Sequence, residues 1–210
     1  MKLKTTNHIY NSASNYYSDK LHYHNFSHIK ETLNYAENIL KECDSKKVNY
    51  DKKVVCHAIL FHDAGYNLDH TKKGFKNKES YSAVLAEYAL SDAGESQEHI
   101  EKVTRAILCT HMNGECETND DAIVRAADLS GLAAPYTDFI NKSIALFKER
   151  ELLSGEKISW DQYKKEAIGV IRGFLKQEIK LDIELFSKGN YIFHTKVFDN
   201  LDNLMQDKMD

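Results

Sequence analysis

The chain has 210 residues, 42% hydrophobic and 29% charged, enough apolar material for a substantial core and too evenly mixed in sign for a disordered or membrane-embedded class. Its 28 basic and 32 acidic residues leave a net charge of −4, so no global field draws it to nucleic acid or an anionic membrane. The opening stretch from Met1 to His8 has no continuous apolar run, and nothing later approaches the roughly 18 apolar residues of a membrane span. We therefore expect a cytoplasmic protein with no membrane partner, folded as one domain over 1–210.

Proline occurs once, at Pro135, and glycine nine times. Long segments thus run without breakers, and their apolar spacing is helical rather than alternating, which predicts an all-α helical bundle. The first helix is expected over 3–17 and the second over 27–42. Ahead of the second stands Tyr23-His24-Asn25-Phe26-Ser27-His28-Ile29, whose histidines would share a face if both were helical. Because Asn25 or Ser27 caps the helix, only His28 lies within it. His28 is the candidate ligand, and His24 a substrate-facing or supporting group.

The third helix, over 51–63, is almost wholly apolar through Val54-Val55-Cys56-His57-Ala58-Ile59-Leu60-Phe61 and ends in the adjacent pair His62-Asp63. Consecutive helical residues diverge by about 100°, so both reach one ion only where the helix stops, and Ala64-Gly65 supplies the stop. The bland alternative is a helix end with a favourable histidine and a solvent-facing aspartate. Next comes Thr71-Lys72-Lys73-Gly74-Phe75-Lys76-Asn77-Lys78, a cationic loop whose Lys72, Lys73 and Lys76 either hold phosphate oxygens or are simply solvated. Tyr66 and Phe75 either flank a base or join the core.

A helix over 77–93 begins with Glu79, and one over 96–110 ends at Thr110-His111. His111 is a candidate contact for substrate or a second metal, or a solvent-facing terminal histidine. Cys43, Cys56, Cys109 and Cys116 form no Cys-x-x-Cys unit, so neither a disulfide framework nor a zinc ribbon is expected. Cys109, His111 and Cys116 lack a fourth ligand at structural-zinc spacing and read as thiols beside an unrelated histidine.

Asn119, with Asp120 and Asp121 behind it, caps a helix over 119–133 that carries Asp128 among Ala126, Ala127, Leu129 and Leu132. A carboxylate so near the core needs a cation or a partner, and Arg125 offers a helical ion pair. Pro135 ends that helix near Ala134 and opens another over 135–153. Ser159-Trp160-Asp161-Gln162 fits a capping box for a helix over 159–187, and a last helix follows over 195–207.

His28, His62, Asp63 and Asp128 together offer two imidazoles and two carboxylates from three helices, the donor mix of a borderline-hard divalent site. In that order, His, then His-Asp, then Asp, the chain resembles the HD-domain superfamily of metal-dependent phosphohydrolases. Tyr-His-Asn-x-x-His-Ile, Phe-His-Asp-Ala-Gly-Tyr, Glu79-Ser80-Tyr81-Ser82-Ala83 and Ala127-Asp128-Leu129-Ser130 look like the branch described as predicted HD phosphohydrolases. The resemblance covers about 20–135 and more weakly suggests that Phe174-Leu175 onward is the family's C-terminal helical part.

What it implies is a hydrolase for a phosphate ester or phosphoanhydride, with a nucleotide or related small molecule as substrate. The four residues would hold Mn²⁺ or Mg²⁺, with iron, cobalt or nickel tolerated by the imidazoles. Asp63 would also align the attacking water, and Glu79, which resembles the glutamate before a Ser-Ala pair in small HD nucleotide pyrophosphohydrolases, would transfer a proton. Ala64-Gly65-Tyr66-Asn67 stands where alarmone hydrolases carry Glu-Asp. The glutamate that deoxynucleoside monophosphatases place just behind His-Asp is missing before Glu79, and so is the Gly-Tyr-Pro of the cyclic-dinucleotide branch. Outside 72–78 no basic stripe supports a nuclease. The rival from another class is a noncatalytic nucleotide-binding or regulatory helical domain with a structural metal.

Overall fold

The structure, a computed structural model, describes residues 7–186 and 191–208. Every regular element among them is helical, as the spacing predicts. In chain order they are α1 (Asn7–Ser14), α2 (Phe26–Lys46), α3 (Lys52–Phe61), α4 (Lys78–Asp92), α5 (Gln97–Cys109), α6 (Asn119–Leu129) with a 3₁₀ turn (Ser130–Ala133), α7 (Tyr136–Ser154), α8 (Trp160–Phe174) and α9 (Ile192–Gln206). The part of the expected first helix before residue 7, and the expected end of another at 187, lie outside the described residues.

The centre is α3. Every residue from Val54 to Phe61 is buried, and α1, α2, α4, α5 and α6 all pack against it. A helix apolar on all sides can be stable only if it is surrounded, so the composition of α3 dictates the arrangement. The polar groups at its C-terminus are thereby carried into the interior. None of the helices among the described residues is long and apolar enough to cross a membrane.

Helix starts follow side-chain acceptors. Asn25 Oδ1 accepts from Ser27 N, Asp51 from Lys53 N and Val54 N, and Asn77 from Ser80 N. The cap of α6 is Thr118 rather than Asn119, because Asp121 returns the bond to Thr118 N and completes a capping box. At Ser159 only half of the expected box forms: its hydroxyl accepts from Gln162 N, while the Gln162 amide reaches Glu166.

The expected helix over 159–187 stops at Phe174. Ile179, Leu181 and Ile183 are buried while Lys180, Asp182 and Glu184 are exposed, a period of two that an α-helix cannot serve. The segment runs as turns, with Leu181 N bonded to Ile179 O and Ile183 N to Leu181 O. Phe174-Leu175 onward is therefore not continuous helix.

Candidate metal centre

His28 lies in the first turn of α2, where the Tyr23 ring packs 4.6 Å from its own, centroid to centroid. His62 is the C-terminal cap of α3 and Asp63 follows it. The chain leaves the helix at once: Ala64 N bonds to Phe61 O and Gly65 N to Tyr16 O. Gly65 has φ +72°, and a Cβ there would lie 2.8 Å from the Tyr81 ring, so both backbone and space require glycine. Released from helical geometry, neighbours 62 and 63 turn to one point. Asp128 arrives from the last turn of α6.

There the four side chains meet. His62 Nε2 lies 3.2 Å from Asp63 Oδ2 and 3.3 Å from Asp128 Oδ1. His28 Nε2 lies 3.5 Å and 3.8 Å from the same two oxygens, and one ligand atom of each residue falls within 4.8 Å of all the others. Donors about 2.0–2.2 Å from a shared ion are separated by about 3–4 Å, so these atoms stand at ligand spacing.

The decisive atom is His62 Nε2. Its ring partner Nδ1 donates to Ile59 O at 2.9 Å, which orients the ring and makes Nε2 the nitrogen that offers a lone pair once its proton is displaced. That nitrogen is buried and has no hydrogen-bond partner. A buried polar atom without a partner costs free energy, and a cation that displaces the Nε2 proton would satisfy it. The residues therefore fit a divalent metal ion.

Electrostatics point the same way. Burial lowers the His62 pKa, but the Asp63 and Asp128 charges overcome it and hold the group up at about 10, so that without an ion the ring is charged and a metal would take the place of its Nε2 proton. His28 is likewise raised: burial opposes, and bonds to Asp128 and Asp63 prevail. Burial alone would raise both aspartates, yet the His62 charge, joined by Lys78 at Asp63, keeps each well below the carboxylate range. A buried carboxylate at Asp63 beside a half-buried one at Asp128 calls for positive charge, from protons or from a metal.

Around this group lies a second set of contacts. Lys78 Nζ bonds to Asp63 Oδ1 at 2.7 Å and lies 3.2 Å from Glu79 Oε1. Glu79 is buried in the first turn of α4 and is joined to Asp63 through that ammonium. His24 lies 3.9 Å from Asp63 Oδ2, stacks on Tyr66 with centroids 3.7 Å apart, and gives Nδ1 to Glu149. Glu149 also accepts from the backbone amides of Tyr23 and His24. A recess of about 320 Å³ opens beside His28, lined by Tyr23, Asn25, Ser27, Asn141 and Lys142 among others.

Other expected site residues sit elsewhere. Lys72 pairs with Asp69 at 3.3 Å, and Lys73 and Lys76 are exposed; among the described residues none of the three pairs with the carboxylates of the site. His111 belongs to neither group of potential ligands among the described residues, and its Nδ1 accepts from Asn113 N. Arg125 does not pair with Asp128. Fully buried, it donates to the carbonyls of Cys109, His111, Gly114 and Met112, and the turn so gathered brings the Cα atoms of Cys109 and Cys116 to 5.2 Å, where the cysteines form a disulfide. The expectation of free thiols thus holds only for Cys43 and Cys56.

Lys78 and Glu149 are the site residues that sequence reasoning misses. For Lys78 a signal exists, because a cation opening a helix opposes the dipole and so points to a nearby anion. Glu149 sits in the charged run Lys148-Glu149-Arg150-Glu151, which reads as a solvated face. Compared with models of known protein families and with curated proteins, the chain matches none.

Proposed function

We propose that this protein is a metal-dependent phosphohydrolase of the HD-domain kind, cleaving a phosphate ester or phosphoanhydride bond in a nucleotide or related small molecule. The observation that carries the reading is the convergence of two imidazoles and two carboxylates, from α2, the end of α3 and α6, around a buried ring nitrogen without a hydrogen-bond partner. His28, His62, Asp63 and Asp128 would hold the ion, Mn²⁺ or Mg²⁺ by preference, with iron, cobalt or nickel as alternatives. When bound, such an ion polarises a phosphoryl oxygen and lowers the pKa of water.

The remaining tasks fall to the side chains of this protein. Asp63 is held from one side by Lys78 and faces the histidines from the other, so its carboxylate is fixed in orientation for aligning a nucleophile. The Lys78 ammonium is the cation at the site that would offset phosphate charge, in place of the three loop lysines. Glu79, held by the same ammonium, is the candidate for proton transfer. Glu149 orients His24 at the edge of the site, and the recess beside His28, with its amide, hydroxyl and ammonium groups, suits the rest of a polar substrate.

The test is a phosphate-release screen over nucleotides and phosphoesters with each divalent metal, alongside metal analysis. We expect metal-dependent release that is abolished in both Asp63→Ala and Asp128→Ala, with helical circular dichroism unchanged. Retention of metal and activity in either variant overturns the site. A metal-loaded protein inactive across the screen favours the noncatalytic nucleotide-binding domain. A cytoplasmic setting is part of the same proposal; the Cys109–Cys116 disulfide would then be reduced in cells, and a pair found oxidised there overturns the cytoplasmic reading.

A further inference from the structure

A second cluster lies one helical turn and a half back along α3, outside the centre just described. His57 of α3 is buried, and its Nδ1 is 2.9 Å from Nε2 of His99, in the first turn of α5. The two rings stand at 84° with centroids 5.0 Å apart. Glu95, in the α4–α5 connection, completes the group, and one ligand atom of each of the three residues falls within 4.8 Å of the others.

The geometry points to a second metal site at His57, Glu95 and His99, suited to zinc and similar imidazole-binding divalent ions. Two imidazole nitrogens about 2.0–2.1 Å from one ion, at angles between octahedral and tetrahedral, are about 2.9–3.4 Å apart, so the observed spacing admits an ion with little movement. Two imidazoles and a carboxylate form a borderline donor set, softer than the four-residue centre, where half the ligands are carboxylates. Burial keeps both imidazoles below the ordinary histidine range, with the neighbouring His99 adding to it at His57, which favours the neutral rings that metal ions bind.

One contact competes. Lys53 Nζ bonds to Glu95 at 2.6 Å, from a side chain that is 54% exposed, and it would swing away into solvent when Glu95 turns to the ion. The bound ion would tie α5 and the α4–α5 connection to α3, the helix that carries His62.

The probe is Zn²⁺ alone, measured by equilibrium dialysis and chelator competition on the full chain after chelator treatment. Wild type is expected to take up two ions. His99→Gln, a change at a half-exposed position, should take up one, with affinity at the second site reduced by about 100-fold or more. Asp63→Asn combined with Asp128→Asn should retain the ion at His57, and adding His99→Gln should remove it. Lys53→Met, at an exposed position outside both clusters, should tighten the second site by about two- to fivefold, the reach of a surface ion pair. Equal uptake and affinity in wild type and His99→Gln, or unchanged or weaker binding in Lys53→Met, overturns the proposal.

Discussion

Replacing Lys78 by methionine keeps the length of the side chain and removes the ammonium that lies 2.7 Å from Asp63 and 3.2 Å from Glu79. Both carboxylates are almost fully buried, at 3% and 5% side-chain exposure. Breaking a fully buried pair by deleting one member costs about 3–5 kcal/mol. Here the lysine is 32% exposed, and Asp63 keeps His62, His28 and His24 as neighbours, so the expected loss is smaller, about 1–3 kcal/mol. Urea unfolding in chelator at neutral pH measures it.

The sign of the pH dependence follows from Asp63. Its carboxyl is held below the ordinary range with Lys78 as one cause, so the stability it contributes is present above the unfolded pKa of about 3.9 and is lost as pH falls through the folded value. The gap between wild type and Lys78→Met should therefore narrow in acid. Added Mn²⁺ should also narrow it by supplying positive charge to the same carboxylate. A difference below about 0.5 kcal/mol at neutral pH, or one that does not change with pH, would refute this account of Lys78.

Three further outcomes are expected. Glu79→Gln should keep the metal and lower turnover by about 10²–10⁴-fold; normal turnover removes its role in proton transfer, and lost metal makes it a ligand. Burial and the neighbouring His99 push His57 down to about 4, so the protein should lose on the order of 3 kcal/mol through this group as pH falls from about 6.5 towards 4, where the unfolded chain takes up the proton. Urea titrations of chelator-treated wild type and His57→Gln at both pH values should show a shallower acid loss in the variant, and parallel curves would contradict the assignment. Gly65→Ala should destabilise by about 1–3 kcal/mol, combining a left-handed backbone with contact against Tyr81 and Leu85, and a thermal melt unchanged from wild type would show that this turn relaxes freely.

What could be read from sequence is what local chemistry decides. His62-Asp63 followed by Ala64-Gly65 announces a helix that ends in two polar groups, and the apolar run before it announces that this end is buried. His28 and Asp128 follow from caps and neighbours within a few residues. Lys78 and Glu149 act across 15 and 125 residues of chain, and nothing adjacent to Glu149 distinguishes it from a surface acid. The same holds for Cys109 and Cys116, whose pairing depends on Arg125 gathering the intervening carbonyls. The segment after Phe174 is a different case, because apolar and polar residues alternate from Ile179 to Glu184 and the helical pattern preceding them outweighs that signal.

The turn around Arg125 also bears on how such a scaffold could change over generations. Four carbonyls converge on one buried guanidinium, a disulfide closes the ends, and at Gly114 a Cβ would come within 2.4 Å of Leu108 O. An added residue there would pull carbonyls off the guanidinium and strand a buried charge on the helix that bears Asp128. The stretch from Asn67 to Lys76 has no comparable anchor, and most of it faces water. Insertions and altered lengths should therefore accumulate in the lysine loop, where new surface can be tried against new ligands while the four donors stay in register.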